Sequence, residues 1–203
     1  MQITQKYLPV PSQRRSGIKN KGVKFIVCHD TGNDASTALT NVNYYIQSAS
    51  NMQASAHAFV DDKGVIECIP QDEKAWHVQY GSPVDNKMFG FDANDSSLGI
   101  ELCFSTKGLF DSKLAYQNYV QYIASLCVKY WLDPRQRLVA HSTLDPARRT
   151  DPINAFSKIG KTWVQFIADV VVNMNEPVAP DPLVTIQIPK SKVDKVVAYL
   201  KTI

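Results

Sequence analysis

Hydrophobic residues in this chain fall into short continuous runs separated by stretches with helical spacing. Three runs of mostly apolar residues predict buried strands: Val23–His29, Leu98–Phe104 and Arg137–His141. Two further runs, Ser55–Val60 and Val65–Ile69, are joined by a short turn that contains a glycine. This pattern is typical of a β-hairpin.

Apolar positions three and four residues apart predict three helices between and after these strands. The first follows a turn in which Asp34 is a candidate N-cap, and its apolar face comprises Leu39, Val42, Ile46 and Ala49. The second spans Asp111 to Trp131, and the third runs from about Phe156 to Asn173. Strands that alternate with helices predict an α/β fold, with a single mixed β-sheet flanked by helices.

A change in composition divides the chain near residue 175. Residues 176–182 (EPVAPDP) contain three prolines, which predict a stiff linker. Residues 183–203 follow with the pattern of a short strand and a short helix. This C-terminal β-α extension is too small to fold alone. The sequence therefore predicts one main domain, residues 1–175, with an extension that docks on another surface or self-associates.

Composition narrows the functional classes. The net charge is +3, without the dense basic segment that nucleic-acid binding favours. The N-terminal residues show no apolar core of a signal peptide, and no apolar stretch approaches transmembrane length. We therefore expect synthesis in the cytoplasm without a signal peptide, no nucleic acid partner and no membrane insertion. None of the four cysteines forms a CxxC pair, so we expect buried free thiols.

Four polar residues lie where an α/β sheet places its chemistry. His29 and His141 each end a predicted strand, and functional groups gather beyond strand ends in such sheets. Asp151 follows His141 by ten residues, and two histidines with a carboxylate form a common catalytic zinc set. Glu101 lies inside an apolar strand. It is either a general base with a raised pKa or a glutamate that faces solvent.

The other two histidines have a structural and a functional interpretation. His57 lies in an alternating strand, which favours a core histidine or one on the wall of a cleft. His77 follows Trp76 in a loop-like stretch. That pair is compatible with substrate contact and equally with a packed loop anchor.

Five sequence blocks, in order, resemble the zinc-dependent N-acetylmuramoyl-L-alanine amidases of the type-2 amidase family. They are VCHDTG, SAHAFVDDKGVI, AWHV, LGIELCF and AHSTLDPARRTDP, and together they span roughly Val23 to Phe156. The family includes phage endolysins, cytoplasmic muropeptide-recycling amidases and peptidoglycan-recognition proteins. The resemblance implies a peptidoglycan hydrolase that cleaves the bond between N-acetylmuramic acid and L-alanine.

The resemblance also implies roles for individual residues. His29, His141 and Asp151 match the zinc ligands, and Glu101 matches the glutamate near the zinc-bound water. His57, Trp76 and His77 are then expected to contact the substrate.

Two of the departures from the family pattern concern the predicted site. Arg149 stands where catalytic members usually have lysine, and the two side chains differ in shape and hydrogen-bond geometry. Ala56 replaces a tyrosine that some members carry, which favours Glu101 as the base.

Three functions are compatible with this resemblance. A cell-wall-lytic endolysin, acting after release from the host cytoplasm, suits the linker and the C-terminal extension, which would direct the enzyme to the wall. A cytoplasmic recycling amidase would share the chemistry without needing that extension. A non-catalytic peptidoglycan-binding module would typically lack a zinc ligand, whereas this chain has a full candidate set.

Overall fold

The structure is a computed structural model that describes residues 1–175. Its strands are β1 (Ile3–Gln5), β2 (Phe25–Asp30), β3 (Ala58–Asp61), β4 (Gly64–Glu67), β5 (Ser97–Leu102) and β6 (Leu138–Ala140). Its helices are α1 (Ala38–Gln47), α2 (Pro83–Phe89), α3 (Ala93–Ser96), α4 (Ser112–Tyr130), α5 (Pro134–Arg137), α6 (His141–Leu144), α7 (Ile153–Lys158) and α8 (Trp163–Asn175).

All six of these strands belong to one sheet, in the order β1-β4-β3-β5-β2-β6. Only the β3–β4 hairpin is antiparallel; the other neighbouring strands are parallel. The predicted single mixed sheet is therefore confirmed. β2 lies between β5 and β6 and runs parallel to both. The carboxyl ends of these three strands therefore lie at the same edge of the sheet.

The two faces of the sheet have different coverings. Ile26 and Cys28 of β2 and Leu98 and Ile100 of β5 point to one face, where they pack against α4 and α8. The intervening residues point to the other face. There α1 covers Phe59 of β3, while α2 and α6 cover the start of β2. Between these coverings, the ends of β5 and β2 remain open to a cleft.

Several local predictions were wrong in detail. Thr37, rather than Asp34, caps α1, because its hydroxyl accepts from the Thr40 amide; Asp34 instead accepts from the Thr106 amide. Leu39, predicted on the inward face, is 49% exposed. The final predicted helix is divided into α7 and α8, because Gly160 adopts a left-handed conformation that ends the first of them.

Three further predictions concern the cysteines, membrane-spanning helices and the C-terminal residues. All four cysteines are buried free thiols, as predicted. Among residues 1–175, no helix combines the length and apolar character needed to cross a bilayer. The predicted linker and C-terminal extension, residues 176–203, lie outside the described residues, so the proposed domain boundary stays a prediction.

Candidate metal centre and active-site cleft

Two of the candidate zinc ligands are brought together by neighbouring strands. His29 lies near the end of β2, and His141 directly follows β6, which pairs in parallel with β2. The two imidazole rings lie 4.5 Å apart between centroids, at a steep angle. Both rings are almost fully buried. The sheet thus fixes a pair of imidazoles at one point of the cleft.

Asp151 reaches the same point from the loop after α6. Its Oδ2 atom lies 2.9 Å from Nδ1 of His29 and 2.9 Å from Nδ1 of His141. Two hydrogen bonds anchor this loop: the Ser142 amide donates to the Asp151 carbonyl, and the Ala155 amide donates to the Asp30 carboxylate. The backbone therefore presents a carboxylate to both histidines.

The electrostatics of this cluster suit a divalent cation. Burial lowers the pKa of His29 to about 4, so its imidazole is neutral near pH 7. Burial raises the pKa of Asp151, but its contacts with His141 and His29 outweigh burial, and the net pKa lies below the usual value. A neutral histidine and an ionised carboxylate are the protonation states in which these side chains bind metals.

The donor set also fits a metal in type and spacing. One ligand atom from each of His29, His141 and Asp151 lies within 4.8 Å of the other two, and nitrogen and oxygen donors of this kind suit zinc. These three residues fit the zinc ion that the amidase resemblance implies.

Glu101 lies directly beside His29, because the two residues are partners in the β2–β5 register. Its Oε2 atom is buried and, among the described residues, has no hydrogen-bond partner. Burial raises the pKa of Glu101 well above its usual value, and the nearby charges of Asp151 and Asp30 add to this effect, whereas Arg149 opposes it. The side chain faces the cleft and is suited to accept a proton there.

The cleft around these groups has a volume of about 490 Å³. Trp76, His77 and Arg149 line it together with the four residues above, so seven of the eight predicted site residues meet here. Arg149 is exposed and, within the described residues, has no side-chain hydrogen bond or ion pair. Its guanidinium is therefore free to approach a substrate.

His57 is the predicted site residue that does not line the cleft. Its Nδ1 accepts from the Gly99 amide at 3.0 Å, and its Nε2 lies 3.0 Å from the Glu73 carbonyl. The side chain is 1% exposed. Of its two interpretations, the structure therefore favours the core histidine, with both ring nitrogens engaged by backbone groups.

Three supporting residues were not predicted from the sequence. Asp30 binds the Gly32 and Ala155 amides, which connects β2 to the loop that bears Asp151. Asn94 is fully buried and accepts from the amides of His77 and Val78. Tyr45 of α1 lines the cleft on the side of Glu101. Only Asp30, which follows His29 at a strand end, had a signal in the sequence.

Comparison with known proteins gives a consistent result. A model of the family described as N-acetylmuramoyl-L-alanine amidase matches residues 19–154. The N-acetylmuramoyl-L-alanine amidase BlyA of Bacillus subtilis (strain 168) is 34% identical over 147 residues, which cover 68% of this chain and 39% of BlyA. The amidase CwlL of Bacillus licheniformis is 29% identical over 144 residues, which cover 70% of this chain and 39% of CwlL.

Solved structures extend the similarity to the fold. The structure of PlyL is 28% identical with a TM-score of 0.66, covering 84% of this chain and 97% of that one. The PlyG catalytic domain is 26% identical with a TM-score of 0.68, covering 89% and 100%. The chain thus matches nearly the whole of these two structures, but spans only about two fifths of the curated relatives BlyA and CwlL.

Proposed function

Because the chain belongs to the N-acetylmuramoyl-L-alanine amidase family, we propose that it hydrolyses the amide bond between N-acetylmuramic acid and L-alanine in peptidoglycan. The observation that supports this most strongly is the convergence of His29, His141 and Asp151 beside Glu101 in one cleft. That arrangement suits a catalytic zinc site, in which three protein ligands leave a position for water.

His29, His141 and Asp151 would hold the zinc ion. When bound, zinc lowers the pKa of a coordinated water toward about 7. Glu101 accepts the proton of the attacking water, because its carboxylate faces the cleft and its Oε2 has no hydrogen-bond partner among residues 1–175. The same carboxyl group then returns the proton to the departing amine of L-alanine.

Arg149 is proposed to stabilise the negative charge that develops during the reaction. As the water attacks the lactyl–alanine carbonyl, negative charge develops on the carbonyl oxygen. Arg149 lines the cleft with a guanidinium that has no ion-pair partner among the described residues, so it can stabilise that charge. Trp76 also lines the cleft and would contact the sugar or peptide.

The proposed substrate is the polymeric cell wall. Gln53 and Trp76 line both the cleft and a second cavity of about 440 Å³, so the two cavities are neighbours that together give room for a substrate longer than one disaccharide peptide. These neighbouring cavities favour a wall-lytic enzyme of the endolysin kind over a muropeptide-recycling enzyme. Residues 183–203 are proposed to contribute wall targeting or self-association.

Elemental analysis of the purified chain and digestion of purified walls test this proposal together. We expect about one zinc per chain, with release of L-alanine amino groups and no new reducing sugar ends. Faster turnover of intact walls than of soluble muropeptides would support the endolysin assignment. The reverse preference would support recycling, and wall binding without amine release would indicate a non-catalytic module.

A further inference from the structure

A buried series of hydrogen bonds leads away from the candidate metal centre. His29 Nε2 lies 3.1 Å from His77 Nδ1, and His77 Nε2 lies 3.3 Å from the Ser97 hydroxyl. The Ser97 hydroxyl donates to the Ala93 carbonyl at 2.7 Å. His29, His77 and Ser97 are all buried, so water does not compete for these bonds.

The Ala93 carbonyl fixes the donor and the acceptor in every hydrogen bond of this series. A carbonyl oxygen only accepts, so the single hydroxyl proton of Ser97 is used there. His77 Nε2 must then donate to Ser97, which leaves His77 Nδ1 as an acceptor. His29 Nε2 therefore donates to His77, and His29 Nδ1 keeps its lone pair. That lone pair faces Asp151 Oδ2 at 2.9 Å, an arrangement that a shared cation stabilises.

The fold is built to hold the His77 ring at this place. Gly99 of β5 lies under the ring, and a Cβ atom at Gly99 would come within 2.4 Å of His77 Cγ. The Asn94 side chain fixes the His77 amide from the other side, at 2.9 Å. The ring thus lies against a glycine of β5, while a fully buried asparagine holds the backbone that carries it.

We propose that His77 is a positioning residue, which holds His29 in the tautomer and ring orientation that leave Nδ1 free for zinc. This inference rests on the proposed zinc site. It differs from the substrate contact expected from the sequence, because both ring nitrogens of His77 are engaged within the protein. Partners of this kind typically change metal affinity by about 10- to 100-fold.

Zinc affinity, measured by competition with a chromophoric chelator, tests the proposal without an activity assay. His77→Phe keeps an aromatic ring but removes the acceptor, and we expect zinc to bind roughly 10- to 100-fold more weakly. His77→Gln retains an acceptor and a donor, so its loss of zinc affinity should be clearly smaller than that of His77→Phe. Tyr122→Phe, which removes a buried hydroxyl on the opposite face of the sheet, is the control for general destabilisation and should bind zinc normally.

Nitrogen-15 NMR of the zinc-loaded wild-type protein gives a second measurement. We expect His77 to carry its proton on Nε2, with Nδ1 unprotonated. A His77 protonated on Nδ1, or a folded His77→Phe variant with wild-type zinc affinity, would overturn this inference and leave the proposed function intact. A wild-type protein that binds no zinc would overturn both.

Discussion

Each face of the sheet carries a glutamate, and the two carboxylates have opposite surroundings. Glu67 of β4 faces α4, where one carboxylate oxygen accepts from the Tyr122 hydroxyl at 2.7 Å and from the side-chain amide of Gln71 at 2.6 Å. Its other oxygen accepts from Gln5. Glu101 of β5 faces the cleft, and its Oε2 has no partner in the described part of the chain. A buried carboxylate with full partners supports the fold, whereas one left unpaired is available for chemistry.

Cavity size alone would have pointed to the wrong face. The cavity between α4 and α8 has a volume of about 630 Å³, larger than the 490 Å³ cleft, but it contains none of the predicted site residues. Its one described carboxylate, Asp169, is already paired with Lys161 and Tyr116. Volume alone therefore does not identify the proposed site, where the Glu101 carboxylate has an oxygen without a partner among the described residues.

The largest expected effect on turnover is at the metal centre. His29→Ala removes a proposed zinc ligand, so we expect loss of bound zinc and of measurable wall hydrolysis, with the fold retained by circular dichroism. Tyr122→Phe is the control for general destabilisation: it removes a buried hydroxyl on the opposite face of the sheet and should retain zinc and activity. A fully active His29→Ala protein without metal would refute the zinc mechanism.

The two glutamates allow a direct test of the comparison between the faces. Glu101→Gln removes the proposed base while preserving shape, and we expect kcat to fall roughly 10²-fold or more with zinc content unchanged. Glu67→Gln, on the α4 face, should keep wild-type kcat. Equal turnover by wild type and Glu101→Gln would show that another group accepts the proton.

On the α4–α8 face, substitutions should change stability and leave turnover intact. Phe166 of α8 is fully buried against Tyr119 and Phe156, so Phe166→Ala should lower the free energy of unfolding by about 3–5 kcal/mol. Val164→Ala, on the exposed side of the same helix, should change it by less than about 0.5 kcal/mol. Urea denaturation measures both. A Phe166→Ala protein that folds but loses zinc would show that the two faces are coupled.

The smallest expected effect on the chemistry comes from the C-terminal extension. A chain that ends at Asn175 retains every described residue that lines the cleft, so turnover of a soluble muropeptide should be unchanged. Binding to intact walls in a pull-down assay should decrease. If the truncated protein is folded and holds zinc but no longer cleaves the small substrate, the extension belongs to the active site.

The sequence alone predicted the elements whose signal is local. The apolar runs of β2, β5 and β6 and the helical spacing of α4, capped by Asp111, are patterns within a few adjacent residues. The positions of His29 and His141 at strand ends, together with the family resemblance, also identified the candidate ligand set.

Only the tertiary structure decided how the side chains of the site are held. Ser97, Gly99 and Asn94 support His77, although no periodicity marks them and they lie 17 to 22 positions from it along the chain. His57 and His77 each had a structural and a functional interpretation in the sequence, yet one bonds to backbone groups and the other to His29. Spacing reports which face of an element is buried. The partner that a buried nitrogen meets depends on how distant elements pack, which a local pattern does not encode.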